Sequence, residues 1–333
     1  MFQVCFESSS KILLDVNYFP NVTWTIDFGK VSTEMSSEAP KKLSSLISTW
    51  IAKENKSSQT LSVNLSETSI SAIDAWIQYI SYLFNVPLEN TNLFLHNFEK
   101  KFILKLIDFH CNQSGTLHKN FNLYDKESNS LQESNNDFYQ KMLSCFQNTG
   151  ILVVLFKPSQ TFTFDFKTLK TRFKLLDFRY SHWVSLDQLL EADTSCICLS
   201  RSNFTTSDFK TLVDKWRAGW TPKWTSLMIE FKENLDIDTC VGGEPFHTVP
   251  RNIKPLMKLV VKKESPIQLY KFDMFRRTPE GFTHKTGYHI YRSDDVVATI
   301  TVEKNKIGWI EIQPFDCDVE FRFHLHMRTF QLD

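Results

Sequence analysis

Four clusters in this chain combine residue types and spacings that chemistry could use. His324 and His326 alternate along a run that reads as a strand, so both imidazoles leave one face, as metal ligands sometimes do. Arg322 and Arg328 share that face and would repel a divalent cation, while Asp316, Asp318 and Glu320 are near in sequence only. A solvated polar face is the favoured reading. Cys196 and Cys198 form C-x-C rather than the C-x2-C of zinc ribbons, and no second pair answers them. Alternating with Ile197 and Leu199, they read as small hydrophobes on a strand covered on both faces. Asp108, His110 and Cys111 offer a carboxylate, a base and a thiol. Adjacent residues seldom face one another productively, however, and catalytic cysteine pairs come from separated segments. Arg251–Lys263 interleaves basic and apolar residues, but Pro255 interrupts any continuous amphipathic helix, so a solvated strand or loop is favoured over a phosphate or membrane site. The sequence contains no G-x-S-x-G elbow, H-E-x-x-H pair, Walker loop or dinucleotide fingerprint. The expectation is a chain without catalytic residues, cofactor or metal.

Composition narrows the partners. Lys+Arg and Asp+Glu are 38 each, so no bulk field draws the chain to nucleic acid or an acidic bilayer. With 42% hydrophobic and 14% aromatic residues, the chain has the apolar content to fold. The longest wholly apolar run, Ile151–Phe156, is too short to span a membrane, and the opening MFQVCFESSS lacks the apolar stretch of a signal peptide. Seven cysteines, an odd and scattered set, fit free thiols in the cytoplasm or nucleus. The sequons at Asn21, Asn55, Asn64, Asn112 and Asn203 are then idle.

The elements follow from hydrophobic period. Phe2–Phe6, Ile12–Val16 and Thr23–Phe28 read as strands. Pro40–Glu54 places Leu43, Leu46, Ile47, Trp50 and Ile51 at helical spacing and reads as a helix; Leu61–Leu65 reads as a strand. Helix Ser69–Phe84 and strand Asn92–Phe98 follow. Gly115–Ser134 is polar and reads as a loop, and helix Asn136–Phe146 and strand Ile151–Phe156 resume the rhythm. Thr161–Phe166 alternates as a strand does, and Phe173–Tyr180 reads as another. The most informative stretch is Ser185–Phe231: helix Ser185–Ala192, strand Ser195–Leu199, a helix with Phe209, Leu212, Val213, Trp216 and Trp220 at helical spacing, and strand Trp224–Phe231. Thr205 with Asp208 fits a capping box, and Gly219 and Pro222 end the helix. Trp216, Trp220 and Trp224 read mostly as core, with Trp220 or Trp224 as the alternative interface anchors. Asn234–Ile253 reads as a surface loop. From Gly287 onward the pattern is antiparallel: Gly287–Tyr291, Val296–Val302, Ile307–Ile312 and Glu320–Thr329. The fold expected is α/β, a degenerate leucine-rich-repeat-like array of strand–helix units with a C-terminal antiparallel β-sheet. Residues 1–180 form its N-terminal strands and repeat units, and residues 181–333 the remainder, unless the array is continuous.

The stretch Ser185–Phe231 also resembles the nematode type 2 F-box-associated domain. The features that carry the likeness are an LxxLL helix at Leu186–Leu190, a strand ending in Leu199–Ser200, a helix ending in Lys215–Trp216, and the apolar strand Leu227–Phe231. Asp74–Leu88 is similar to the family's helix ending in Phe-Asn before a Pro, and Gly287–Val302 to its closing hairpin. The resemblance implies the substrate-binding part of an F-box ubiquitin-ligase receptor, a non-catalytic protein-interaction module. It implies a Skp adaptor and a cullin as partners only where an F-box is present, with a protein substrate of unknown identity and neither nucleic acid nor membrane as partner. An F-box opens with a Leu-Pro-rich helix, but no Leu-Pro pair occurs in the chain and Met1 leads directly into strand-like residues. The alternatives are an orphan scaffold domain without a ligase link, or a hydrolase whose site is assembled from distant residues. Partner contacts are expected in the loops after strand ends, at Ser66, Glu67, Arg201 and Asn203, where polar side chains can reach outward.

Overall fold

Strands whose side chains alternate between apolar and polar must bury one face, and that requirement organises both halves of this chain. The computed structural model describes residues 2–7, 10–15, 23–27, 47–55, 58–65, 70–108, 120–126, 135–146, 150–169, 172–243, 247–249, 267–272, 275–276, 283–284, 287–292, 296–303 and 307–314. The fold is mixed α/β and divides into two units, Met1–Trp183 and Val184–Asp333.

In the first unit, β1 (Phe2–Phe6), β2 (Ser10–Asp15) and β3 (Thr23–Asp27) are followed by β4 (Ile47–Asn55) and β5 (Ser58–Leu65). Three helices then alternate with strands. α1 (Ile70–Phe84) precedes β6 (Asn90–Phe94), α2 (Lys100–Asp108) precedes β7 (Asn120–Tyr124), and α3 (Asn136–Ser144) precedes β8 (Ile151–Val154); β9 (Phe173–Phe178) comes last. The strands of this unit lie in the order β9-β8-β7-β6-β1-β2-β3-β5-β4. From β1 to β9 every neighbour is parallel. Register makes the core explicit. Val4, Thr91, Phe121, Leu152 and Leu176 form one cross-strand row, and Phe6, Leu93, Leu123, Val154 and Phe178 the next. All ten are buried. Helix α3 carries Tyr139, Met142 and Leu143 to the same core, and Phe146 just beyond it meets Phe121 edge-on at 5.1 Å. Burying each of these large side chains contributes about 1.5–3 kcal/mol.

Several expectations change here. Pro40–Glu54 is not a helix over its second half, because Ile47–Asn55 is a strand paired antiparallel with β5. Ile47, Thr49 and Ile51 alternate as β-branched residues, so the run fits both periods, and pairing with β5 selects the strand. Within the supposed loop Gly115–Ser134 lies β7, whose Phe121 and Leu123 fill the core while its asparagines take the other face. Strand Asn92–Phe98 stops at Phe94 and continues as a 3-10 turn over Leu95–Asn97. Thr161–Phe166 does alternate in burial, but it is no strand. Phe162, Phe164 and Phe166 instead turn edge-on to Trp183, at 5.1, 6.1 and 5.7 Å, and Phe178 joins them at 5.2 Å. Trp183 donates Nε1–H to the Tyr180 carbonyl at 3.0 Å, satisfying its one polar atom.

The second unit begins with α4 (Leu186–Glu191), β10 (Thr194–Leu199), α5 (Thr206–Arg217) and β11 (Ser226–Glu230). Both helices start on capping boxes, Ser185 with Gln188 and Thr205 with Asp208. The α5 box is the one its sequence predicts. α5 buries Phe209, Leu212, Val213 and Trp216. It stops at Ala218, and Gly219 then takes φ +100, a conformation that costs a residue with a Cβ. Trp224 precedes β11 rather than lying in it. It is buried and donates Nε1–H to the Leu189 carbonyl at 3.1 Å, so it is core and not an interface anchor.

Asn234–Ile253 is not simply a surface loop. It contains α6 (Ile237–Val241), which buries Cys240 and Val241, and β12 (His247–Val249). β13 (Ile267–Phe272) pairs with β16 (Gly287–Arg292), and a small separate hairpin joins β14 (Phe275–Arg276) to β15 (Thr283–His284). β16, β17 (Val296–Glu303) and β18 (Ile307–Pro314) form an antiparallel meander, and β18 closes antiparallel on β11. The expected strand Glu320–Thr329 lies outside the described residues.

Candidate functional site

The turn that follows β10 is built from the Glu230 end of β11. Residues Arg201 to Phe204 alternate strictly: Arg201 and Asn203 are exposed, Ser202 and Phe204 buried. Ser202 Oγ–H donates to the Glu230 carbonyl at 2.6 Å and accepts the Phe204 N–H at 3.2 Å. The Arg201 N–H donates to the Glu230 carboxylate at 2.9 Å, and the Lys232 N–H to the Phe204 carbonyl at 3.2 Å. Arg201 adopts φ +49, a left-handed conformation that costs a non-glycine residue about 1 kcal/mol. Glu233 accepts the Thr206 N–H at 2.7 Å, and the Thr206 hydroxyl first, with that N–H second, holds its carboxyl below the usual glutamate range. The two displayed side chains therefore leave a fixed backbone. Ser66 and Glu67, expected to play the same part after β5, lie outside the described residues.

A second polar surface, in the first unit, was not legible as a site. On the side of β1, β6 and β7 opposite the core, Gln3, Asn90 and Asn120 share one cross-strand row, and Cys5, Asn92 and Asn122 the next. Their amides bond across the strands. Asn120 Nδ2 donates to Asn90 Oδ1 and Asn122 Nδ2 to Asn92 Oδ1, each at 2.7 Å. Asn92 Nδ2 donates at 3.3 Å to Gln3 Oε1 and to Cys5 Sγ. Burial raises the Cys5 thiol above its ordinary value, so that sulfur is present as a neutral thiol, not a nucleophile. One step further along, Phe94 and Tyr124 stack at 4.6 Å with rings 10° apart. Beyond them His96 Nδ1 lies 3.6 Å from Asp125 Oδ1, and the buried Tyr139 donates its hydroxyl to Asp125 Oδ2 at 2.9 Å. Burial and the Asp125 charge push the Tyr139 phenol well above its ordinary range, which keeps it a donor. The available signal was the repeated Asn-x-Asn of NTNLF and NFNLY, one on each of two adjacent strands.

Of the clusters with chemical potential, His324, His326, His110, Cys111 and Arg251–Lys263 lie outside the described residues. Cys196 and Cys198 are half-buried thiols outside any disulfide, while Thr194, Ile197 between the two cysteines, and Leu199 are fully covered. The strand is thus buried on one face, not two. Among the described residues no three His, Cys, Asp or Glu side chains gather as metal ligands. No helix among them is long and apolar enough to cross a membrane.

Two further groups are structural. Arg292 of β16 lies buried over the Trp216 ring, its guanidinium carbon 3.7 Å from the ring centroid. It donates to the Trp216 and Trp220 carbonyls at 3.0 and 3.1 Å and to Thr221 Oγ1 at 2.8 Å, closing the C-terminal end of α5. Tyr288, also on β16, donates its hydroxyl to Asp238 of α6. At the far end of α1, Tyr79, Tyr82, Leu83 and Phe84 form an exposed apolar patch.

Residues 162–229 match the family model described as F-box associated. The matched residues run from the phenylalanines around Trp183 through α4, β10 and α5 to Ile229 of β11, and so include Arg201 and Asn203. No curated protein and no solved structure matches the chain.

Proposed function

We propose, from the F-box associated segment at residues 162–229, that the chain is a non-catalytic protein-interaction module: the substrate-binding part of a ubiquitin-ligase receptor. In that role it holds a protein substrate, and a Skp adaptor and cullin connect it to the subunits that transfer ubiquitin. It works in the cytoplasm or nucleus with no cofactor, nucleic acid or membrane. Its strand–helix units are a degenerate leucine-rich-repeat-like array, in which partners meet the strand-lined face and the loops after the strands. The observation that carries this reading is the Arg201–Phe204 turn, inside the matched segment: buried Ser202 and Phe204 fix a strained backbone that displays Arg201 and Asn203. Strain held in place by neighbouring bonds is typical of binding sites.

The test is a tagged pull-down of the full chain from its native cells with mass-spectrometric identification. Recovery of a Skp adaptor and a cullin is the expected result; other proteins alone would remove the ligase assignment. Arg201→Ala with Asn203→Ala should release the co-purifying substrate while leaving the melting temperature unchanged, because both side chains are exposed.

A further inference from the structure

We propose that Asn120, Asn122 and Tyr124 of β7 form a track that holds an extended, uncharged peptide segment of the partner. This inference rests on the interaction-module reading above. The three side chains stand two residues apart on one half-exposed face, so their spacing is roughly 6.6 Å. An extended peptide presents like-facing N–H and C=O groups at that same two-residue repeat.

The bonding left open on the track matches such a ligand. Asn120 and Asn122 each spend one Nδ2 hydrogen on the neighbouring strand, at Asn90 and Asn92. The Oδ1 atom and the second Nδ2 hydrogen of each have no partner among the described residues, so each asparagine can take one C=O and one N–H of a peptide main chain. The bonds already made fix the amide planes, so little rotamer freedom remains to be lost on binding. Tyr124, stacked on Phe94, supplies a flat apolar platform for a side chain two residues further along the ligand.

Charge selects the ligand class. On β6, β7 and β8, the strands a peptide lying over β7 would touch, the rows of Asn120 and Asn122 carry no charged residue; the nearest on the Asn122 row are Asp177 of β9 and Lys11 of β2. A phosphate backbone would find no cation there, and a charged side chain would lose water without a counter-ion. A neutral peptide recognised chiefly through its main chain meets neither cost.

The full chain is panned against phage-displayed random heptapeptides. The enriched sequences should avoid Lys, Arg, Asp and Glu and carry one aliphatic or aromatic anchor. For a synthetic copy of the leading peptide, Asn120→Ala with Asn122→Ala should weaken binding about tenfold or more, two hydrogen bonds being lost. N-methylation of alternate peptide amides should weaken it similarly on the unaltered chain, which removes dependence on how the variant folds. A charged consensus, unchanged affinity in either experiment, or no enriched peptide overturns the proposal. If a partner is recovered from cells while no peptide is enriched, the peptide track falls and the interaction module stands. An enriched neutral peptide with no cellular Skp or cullin removes the ligase reading alone.

Discussion

In the Met1–Trp183 unit the polar side chains on the half-exposed sheet face bind one another, whereas in the Val184–Asp333 unit the decisive polar groups bind main-chain carbonyls. Asn122, Asn92 and Gln3 are serial members of one network, each holding the next. Arg292 and Ser202 each carry a side-chain donor to main-chain carbonyls, adding to the backbone bonds that already shape the end of α5 and the turn after β10. The difference follows from what each side chain must satisfy. A row of amides on parallel strands in register has donors and acceptors at matching heights, so side chains can complete each other. A helix C-terminus presents carbonyls without intrahelical partners, and a guanidinium with several donors in one plane is suited to them. One arrangement spreads the loss of a residue, and the other concentrates it.

The strongest way to break this contrast is Arg292→Ala. It removes three hydrogen bonds and the stacking on Trp216; the Trp216 carbonyl keeps the Gly219 N–H at 3.1 Å, while the Trp220 carbonyl loses its Arg292 donor. A loss of about 3 kcal/mol is expected, read by chemical denaturation and as faster amide exchange at the end of α5. A loss below about 1 kcal/mol would show that the anchor is not singular. Asn122→Ala tests the other side. Asn92 keeps its bonds to Gln3 and Cys5, so the cost should be about 1 kcal/mol, and a much larger value would mean that the rows act as one unit.

Smaller effects sharpen the picture of the turn. Arg201→Gly relieves the left-handed backbone and should raise stability by a few tenths of a kcal/mol, the relief being partly offset by the greater freedom of glycine in the unfolded chain. A clear destabilisation would show that the Arg201 side chain itself supports the turn. The smallest effect concerns pH. The Glu233 carboxyl is held below its usual range by Thr206, so its tie to α5 is fully present above the ordinary glutamate pKa and is lost as pH falls through the depressed value. The protection of the Thr206 amide, the slowing of its exchange relative to an unstructured chain at the same pH, should fall at low pH, and Glu233→Gln should remove most of that dependence.

How much of this could be read in advance depended on whether a segment's pattern was local. The two helices of Ser185–Phe231, the α5 capping box and the core face of α5 as far as Trp216 are legible, because caps and 3.6-residue periods are short-range signals. Trp220, expected on the same face, lies beyond the helix end and is half-buried. The strand at Ile47–Asn55 is not legible, since its pattern fits helix and strand alike and only the distant partner β5 decides. β7 has the sequence of a loop because asparagine is a poor strand former in isolation. Its Asn120 and Asn122 are accommodated by acceptors on β6, thirty residues earlier in each case. Of the expected contact residues, Arg201 and Asn203 do stand exposed after a strand end. Their rigidity was invisible, because it comes from Glu230, twenty-nine residues beyond Arg201. Arg292 was missed for a similar reason: nothing in GYHIYR announces that its last residue closes a helix more than seventy residues away.

Arg292 also bears on how the molecule can be cut. The stretch that matches the F-box associated family ends at residue 229, yet its main helix is finished by a side chain at 292, and its last strand is flanked on one side by β18. A fragment trimmed to the matched boundaries would lack the Arg292 donor to the Trp220 carbonyl just past α5 and would carry an open strand edge along β11, the first prone to fraying and the second to self-association. The recognisable sequence block is therefore shorter than the structure that completes it, and expression boundaries for the second unit should reach at least through Pro314.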